Sequence, residues 1–182
     1  IYGEKVKKIF VKKSKDVSEL KTKFSKSFEA DILFTDRYII DKIGETTPYP
    51  LRIVYLDIET DSNDEFPNVD KPNQAITCIT VYDSFTNEHI TFFYESPKTK
   101  RKIMTTKIIK VFKSEETMLM AFVSYIYKYD QDVISGWNVI QFDLTYLIRR
   151  MELLKLPYRK MSPMNSVRID ERYGDVKIKG RI

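Results

Sequence analysis

The chain is 182 residues long, 42% hydrophobic, 13% aromatic and 31% charged, with a formal net charge of +5. This excludes a disordered tail and leaves room for one full domain and a piece of another. Cys78 is alone, which excludes an internal disulfide, and no run of about 18 apolar residues marks a membrane helix, so a soluble, cytoplasmic protein without a membrane partner is expected.

Both ends look cut, since the chain starts at Ile1 without a methionine and stops at Ile182 within an extended stretch. Lysines crowd between Lys5 and Lys26, a pattern that suits an anionic partner and equally a solvated surface. Val6 to Lys13 mixes β-branched and aromatic residues with lysine and reads as an edge strand. A helix is expected next, with Asp16 as N-cap, Glu19 three residues on, and Val17, Leu20 and Phe24 on one face. Ala30 to Phe34 reads as a second strand, followed by a short helix capped by Thr35, carrying Tyr38, Ile39 and Ile40, and ending near Gly44. The turn-rich TTPYP at 46–50 continues neither element, which places a domain boundary there: 1–48 a partial N-terminal domain, 49–182 the main one.

Ile53, Val54, Tyr55 and Leu56 form an apolar run expected to be a strand buried on both faces. It ends in acid. Side chains alternate along a strand, so Asp57 and Glu59 project from one face while Ile58 stays with the core. Such a pair is found as solvated surface or in capping; held close together, it calls for a shared proton or a hard cation, Mg²⁺ or Mn²⁺ rather than zinc.

Asp61 to Gln74, polar with two prolines, reads as a loop beside the carboxylates. Ala75 to Tyr82 and Glu88 to Tyr94 read as an antiparallel hairpin turning through Asp83 to Asn87, with Cys78 a buried, inert thiol and the lone His89 a surface residue. A basic loop from Lys98 leads to a short strand over Lys107 to Phe112. Ser114 with Glu115 and Glu116 starts a helix whose buried stripe is Leu119, Phe122, Val123, Ile126 and Tyr127. Asp132 to Trp137 reads as a short buried strand in which Gly136 lets the chain turn. A further helix begins near Phe142, buries Leu144, Leu147, Ile148, Met151 and Leu154, and stops at Pro157. Asp143 in its first turn either compensates the helix dipole or brings a third carboxylate to the end of the sheet. Val167 to Ile182 reads as a hairpin turning near Tyr173, Gly174 and Asp175.

The DIET at 57–60 and the GWNVIQFDLTYL at 136–147, roughly eighty residues apart, resemble the first and second exonuclease motifs of family B DNA polymerases. The ADILFTDRYIIDKIG at 30–44 is similar to the segment that joins the N-terminal and exonuclease domains in archaeal members, so the resemblance covers nearly the whole chain. It implies an α/β, RNase H-like exonuclease domain with a mixed sheet flanked by helices, preceded by part of a small α/β N-terminal domain. It implies metal-binding catalytic roles for Asp57, Glu59 and Asp143, and contacts to a single-stranded 3′ end from Thr60, Asn138 and Phe142. The implied cofactor is Mg²⁺ or Mn²⁺ at a two-ion site, with ions about 3.5 to 4 Å apart. The implied partners are DNA, as primer-template and free 3′ end, and the rest of a polymerase chain associated with the nucleoid.

The family's third motif, a tyrosine and an aspartate on a later helix, is not met before Ile182, so an incomplete metal site and weak activity are expected. A free-standing exonuclease of this fold, and a non-catalytic DNA-binding or structural module, therefore stay open as alternatives. Archaeal relatives are further implied to read template uracil in a pocket here matched by Val17, Lys21, Ile32, Phe34 and Arg37, although core packing accounts equally for Val17 and Ile32.

Overall fold

The strand that carries the acidic pair is β1, Ile53–Thr60, an interior strand with a neighbour on each side. The computed structural model describes every residue except Ile1, Tyr2, Thr46, Ser62, Asn63, Asp64, Arg101, Glu171, Tyr173 and Ile182. On one side β1 pairs antiparallel with β2 (Ile76–Asp83), which pairs antiparallel with β3 (Glu88–Tyr94), which pairs parallel with β4 (Ile109–Phe112). On the other side it pairs parallel with β5 (Val133–Ser135), giving a mixed sheet of order β4-β3-β2-β1-β5.

Two helices serve this sheet. Helix α3 (Glu115–Tyr129) packs on β2, β3 and β4, and α4 (Asp143–Leu153) packs on β1. Both contribute to one core with Val54, Leu56, Ile58, Ile79, Val81 and Phe92, the residues of one sheet face. The opposite face is open, with Tyr55 47% exposed and Asp57, Glu59 and His89 also exposed. The run 53–56 is therefore buried on one face only, because both helices lie on the same side. Cys78, expected in the core, is half-buried on the open face. His89 stands there too, its ring 5.0 Å from Tyr82.

The Ser114 hydroxyl caps α3 by accepting the Thr117 N–H. Its buried stripe takes in Tyr125 instead of Tyr127, which is 65% exposed, because Met118, Phe122 and Tyr125 turn the helix toward Phe92. After α4 the chain makes a short 3₁₀ turn, Tyr158–Met161, and an antiparallel hairpin of β6 (Val167–Ile169) and β7 (Val176–Ile178). The expected turn residue Tyr173 lies outside the described residues; the turn closes through Asp170 N–H to the Asp175 carbonyl, 2.8 Å. Arg181, unremarkable in the sequence, is a buried clamp whose guanidinium donates to the carbonyls of Met161, Gln131 and Ile126 and pairs with Asp130.

The chain divides into two units, Ile1–Tyr49 and Pro50–Ile182. In the first, no described residue is fully buried. Helix α1 spans Asp16–Lys21, with Asp16 inside the helix and Lys15 at the cap position, and α2 spans Phe34–Tyr38 and runs into a π turn at Ile39–Ile43. Gly44, at φ 68°, ends it by donating to the Ile39 carbonyl. The strands expected at 6–13 and 30–34 do not form, since neither segment finds a strand to pair with. The small N-terminal unit thus has helices and no sheet among its described residues. No described helix is long and apolar enough to cross a membrane.

At the end of the sheet away from the acidic tip of β1, Arg52 Nη2 meets Asp83 Oδ2 at 2.6 Å, with side chains only 16% and 1% exposed. The Tyr125 hydroxyl donates to the same oxygen (2.8 Å), and the guanidinium lies over the rings of Tyr129 (4.8 Å) and Phe85 (5.6 Å). Burial alone would push the Asp83 carboxyl up, but Arg52, Tyr125 and the Phe85 N–H outweigh it and hold it below its ordinary value. A depressed acid contributes stability that is present above its unfolded pKa and lost as pH falls through its folded one. In urea denaturation at pH 7, Asp83→Asn is expected to cost about 3 to 5 kcal/mol, because it strands a buried guanidinium, and this deficit should shrink as pH drops below ~3.9.

Candidate active site

The acidic end of β1 is completed from the opposite edge. β5 ends with Ser135 opposite Tyr55, so beyond that point the β5 edge of β1 has no strand partner. The N–H of Ile58 lies on this edge, is buried, and must be satisfied by something else. The Asp143 Oδ1 atom accepts it at 3.2 Å.

What brings Asp143 there is the turn between β5 and α4. At Gly136 a Cβ would press into the Leu56 carbonyl oxygen and crowd Val139, so only glycine lets the chain cross this close to β1. Asn138 takes a left-handed conformation, φ 53°, and Phe142 N–H closes back on its carbonyl at 3.0 Å. Helix α4 then starts at Asp143 with Phe142 as its cap residue.

Asp143 is 4% exposed, whereas Asp57 and Glu59 are solvent-facing on the open side of β1. All three are gathered around Ile58. Burial pushes the Asp143 carboxyl up, the Ile58 N–H pulls it down, and the negative charges of Asp57 and Glu59 push it up further. Among the described residues no three acidic, imidazole or thiol groups converge tightly enough to hold a metal as they stand. Their chemistry fits a hard divalent cation: the donors are all carboxylate oxygens, and a cation relieves the field that disfavours ionised Asp143.

Beside the carboxylates lies an open cavity of about 470 Å³ lined by Ile58, Glu59, Thr60, Glu65, Phe66, Pro67 and Phe142. Phe66 is 83% exposed, and its ring lies 5.3 Å from that of Phe142. A cavity of similar size at the far end of α4, among Lys155, Arg159 and Lys160, holds no carboxylate pair and is remote from this chemistry.

The arrangement agrees with a match of residues 5–182 to the model of DNA polymerase family B, exonuclease domain. The chain belongs to this family. Its five-stranded mixed sheet is that of an α/β RNase H-like exonuclease domain. It is 34% identical over 164 residues to a DNA polymerase of Pyrococcus glycovorans, covering 85% of this chain and 19% of that protein. It is 32% identical over 192 residues to DNA polymerase 1 of Pyrococcus abyssi (96% and 22% covered), and 25% identical over 171 residues to the DNA-directed DNA polymerase of Enterobacteria phage T4 (78% and 19%). The chain thus spans about a fifth of the length of these curated relatives. Exonuclease domains of this family generally use divalent metal ions.

Of the residues that the family motifs single out, Thr60 and Phe142 line the cavity of the exonuclease domain, while Asn138 is exposed in the preceding turn and is not among the lining residues. Glu65, Phe66 and Pro67 were missed by sequence reasoning. Their signal was an aromatic residue beside proline in an otherwise polar loop, DSNDEFPNVD. The residues matched to a uracil pocket lie in the N-terminal unit. Phe34 and Ile32 are exposed (65% and 36%), Val17 is half-buried, and so neither Val17 nor Ile32 is core. Arg37 is held by Asp41 at 2.8 Å and by Glu29, and no side-chain hydrogen bond, ion pair or ring contact among the described residues joins any two of the five.

Replacing Asp143 by asparagine keeps the oxygen that accepts from Ile58 and removes a buried charge set beside two others. Asp143→Asn should therefore melt at a higher temperature than the parent in EDTA, measured by calorimetry at pH 7. Mn²⁺ should raise the melting temperature of the parent and leave the variant nearly unmoved.

Proposed function

We propose that residues 50–182 form a 3′ to 5′ exonuclease that removes the terminal nucleotide from a single-stranded DNA 3′ end, and that this domain serves proofreading within a DNA-directed DNA polymerase. The observation that carries the reading is the set of three carboxylates around Ile58, one of them buried, opening on an aromatic-walled cavity. Polymerases among the relatives support the larger setting.

Asp57, Glu59 and Asp143 hold Mg²⁺ or Mn²⁺. Bound divalent ions supply activation of the attacking water and neutralise charge on the phosphate and the leaving 3′ oxygen. Phe66 and Phe142 present ring faces against which a terminal base stacks, a contact open to every base and so suited to sequence-independent editing. Thr60 and Glu59 line the same cavity; in this reading they orient the end of the strand, and Glu59 takes the proton of the attacking water. Water attacks phosphorus, the bond to the 3′ oxygen breaks, and a 5′-mononucleotide leaves. No histidine or thiol is needed: burial and the charges of Glu59 and Asp57 push the Cys78 thiol up, away from the reactive thiolate, and His89 packs against Tyr82.

The test uses the full-length protein and a 5′-labelled single strand. Loss of 3′ nucleotides in Mg²⁺ or Mn²⁺ is expected, and Asp57→Ala or Asp143→Ala should slow it by ~100-fold or more, at least about 2.7 kcal/mol of barrier. Titration calorimetry should show Mn²⁺ binding to the parent and none to Asp57→Ala; unchanged affinity would sink the ligand assignment. Undiminished hydrolysis in both variants would overturn the catalytic assignment of these carboxylates, and absence of hydrolysis in the parent would leave a binding module as the reading.

A second reading, that the N-terminal unit senses template uracil, is favoured by the solvent exposure of Ile32 and Phe34, which core packing does not explain. Under it, single strands containing uracil bind the full-length protein more tightly than thymine counterparts at one fixed salt concentration, and Arg37→Ala removes the difference. Equal affinities for the parent would end it.

A further inference from the structure

We propose that Gln74 is a positioning residue of the exonuclease site: its side-chain amide latches the cavity wall at Glu65 to Pro67 onto β1, and the buried Glu115–Arg150 pair holds its backbone in place to do so. This rests on the exonuclease reading above, since it concerns the wall of the same cavity.

The latch is a bridge of two hydrogen bonds. The Thr60 hydroxyl donates to Gln74 Oε1 (3.4 Å), and Gln74 Nε2 donates to the Glu65 carbonyl (3.2 Å). Among the described residues the latter is the only hydrogen bond made by Glu65, Phe66 or Pro67. Among the described residues this amide and the Phe66–Phe142 ring contact are the hydrogen bond and the ring contact that tie the wall down.

The amide in turn is placed from beneath. The Gln74 carbonyl accepts from the Tyr146 hydroxyl at 2.8 Å. Arg150 Nη1 donates to the carbonyls of Pro72 (2.9 Å) and Asn73 (3.1 Å), while its Nε and Nη2 make a fork on both carboxylate oxygens of Glu115 (2.9 and 2.7 Å). Glu115 also accepts the Ile76 N–H at 2.8 Å, so the pair fixes the chain on both sides of Gln74. With side chains 11% and 6% exposed, this ion pair loses to desolvation much of what it gains by attraction, and an apolar pair of equal volume would hold the core as well. An apolar pair has no donors for the carbonyls at 72 and 73. Gripping that stretch is what the charged pair does and a hydrophobic one cannot.

Freed from the latch, the wall swings, Phe66 leaves Phe142, and the strand end is held less well, while Asp57, Glu59 and Asp143 keep their places on β1 and α4. The signature is therefore a KM effect without a kcat effect. Gln74→Met keeps the volume and removes both hydrogen bonds. Gln74→Glu keeps the acceptor for Thr60 and removes the donor to Glu65.

In the full-length protein, both variants should raise KM for a single-stranded 3′ end about three- to tenfold, with kcat within about twofold and the melting temperature nearly unchanged. Hydrogen exchange should quicken in residues 65–75 and remain as in the parent in β1 and α4. Arg150→Lys keeps the charge beside Glu115 but lacks the fork, and should give the same KM and exchange changes. An unchanged KM, a fall in kcat at constant KM, or faster exchange throughout the sheet would overturn the latch. If the parent itself degrades no DNA, the exonuclease reading fails, and exchange alone then decides the latch: faster exchange confined to 65–75 supports it, and parent-like exchange there overturns it.

Discussion

The hydrogen bond from the Ile58 N–H to Asp143 joins the two halves of the site, and much of the rest exists to let it form. A buried N–H on an unpaired strand edge has to be satisfied, and β5, three residues long, stops too soon to satisfy it. A longer β5 would pair with Ile58 and leave no place for a carboxylate. The short strand, the glycine pressed on Leu56 and the left-handed Asn138 are one device: they end the ladder and bring the first residue of α4 to the Ile58 N–H that a longer β5 would have paired.

Around that joint the polar network is arranged to resist movement along the sheet. Arg52 and Asp83 close one end of β1 and β2, and Glu115 with Arg150 closes the loop between them near the other end. Neither pair is a strong source of net stability, since desolvation of two charges offsets most of their attraction. Each is costly to break, which makes it a specifier of position: Arg52 also donates to the Tyr129 carbonyl, and Arg150 to two loop carbonyls, contacts in which only one register of strand and helix is satisfied.

What was legible in the sequence follows a physical line between local and distant causes. The pair Asp57 and Glu59 was legible because alternation along a strand is local, and the start of α3 because Ser114 acts on its own first turn. Glu115 was read as an acid over the helix dipole, a local role; its partner Arg150 is thirty-five residues away and gives no local sign. Tyr127 was placed in the core where Tyr125 belongs because helical spacing fixes a face without fixing its centre, and the centre is set by Phe92 and Asp83 across the interface. The strands expected at 6–13 and 30–34 failed for a related reason. Composition gives a segment the capacity to be a strand, but a strand exists only where another offers it a ladder, and the N-terminal unit offers none.

The same distinction separates the three carboxylates of the proposed site. Asp57 and Glu59 are bathed in water, which screens their mutual repulsion to about 1 kcal/mol at contact range, so they tolerate the absence of a cation with little strain. Asp143 has no such relief. It is buried, the backbone N–H groups of Ile58 and of Asp143 itself stabilise the ionised form only in part, and both neighbours on β1 work against it. Under the proposed reading a cation takes ligand oxygens from the exposed pair and also neutralises the charge of the buried carboxylate. The proposed site thus draws on both elements: α4 contributes the buried carboxylate, and β1 contributes the exposed pair on its open side.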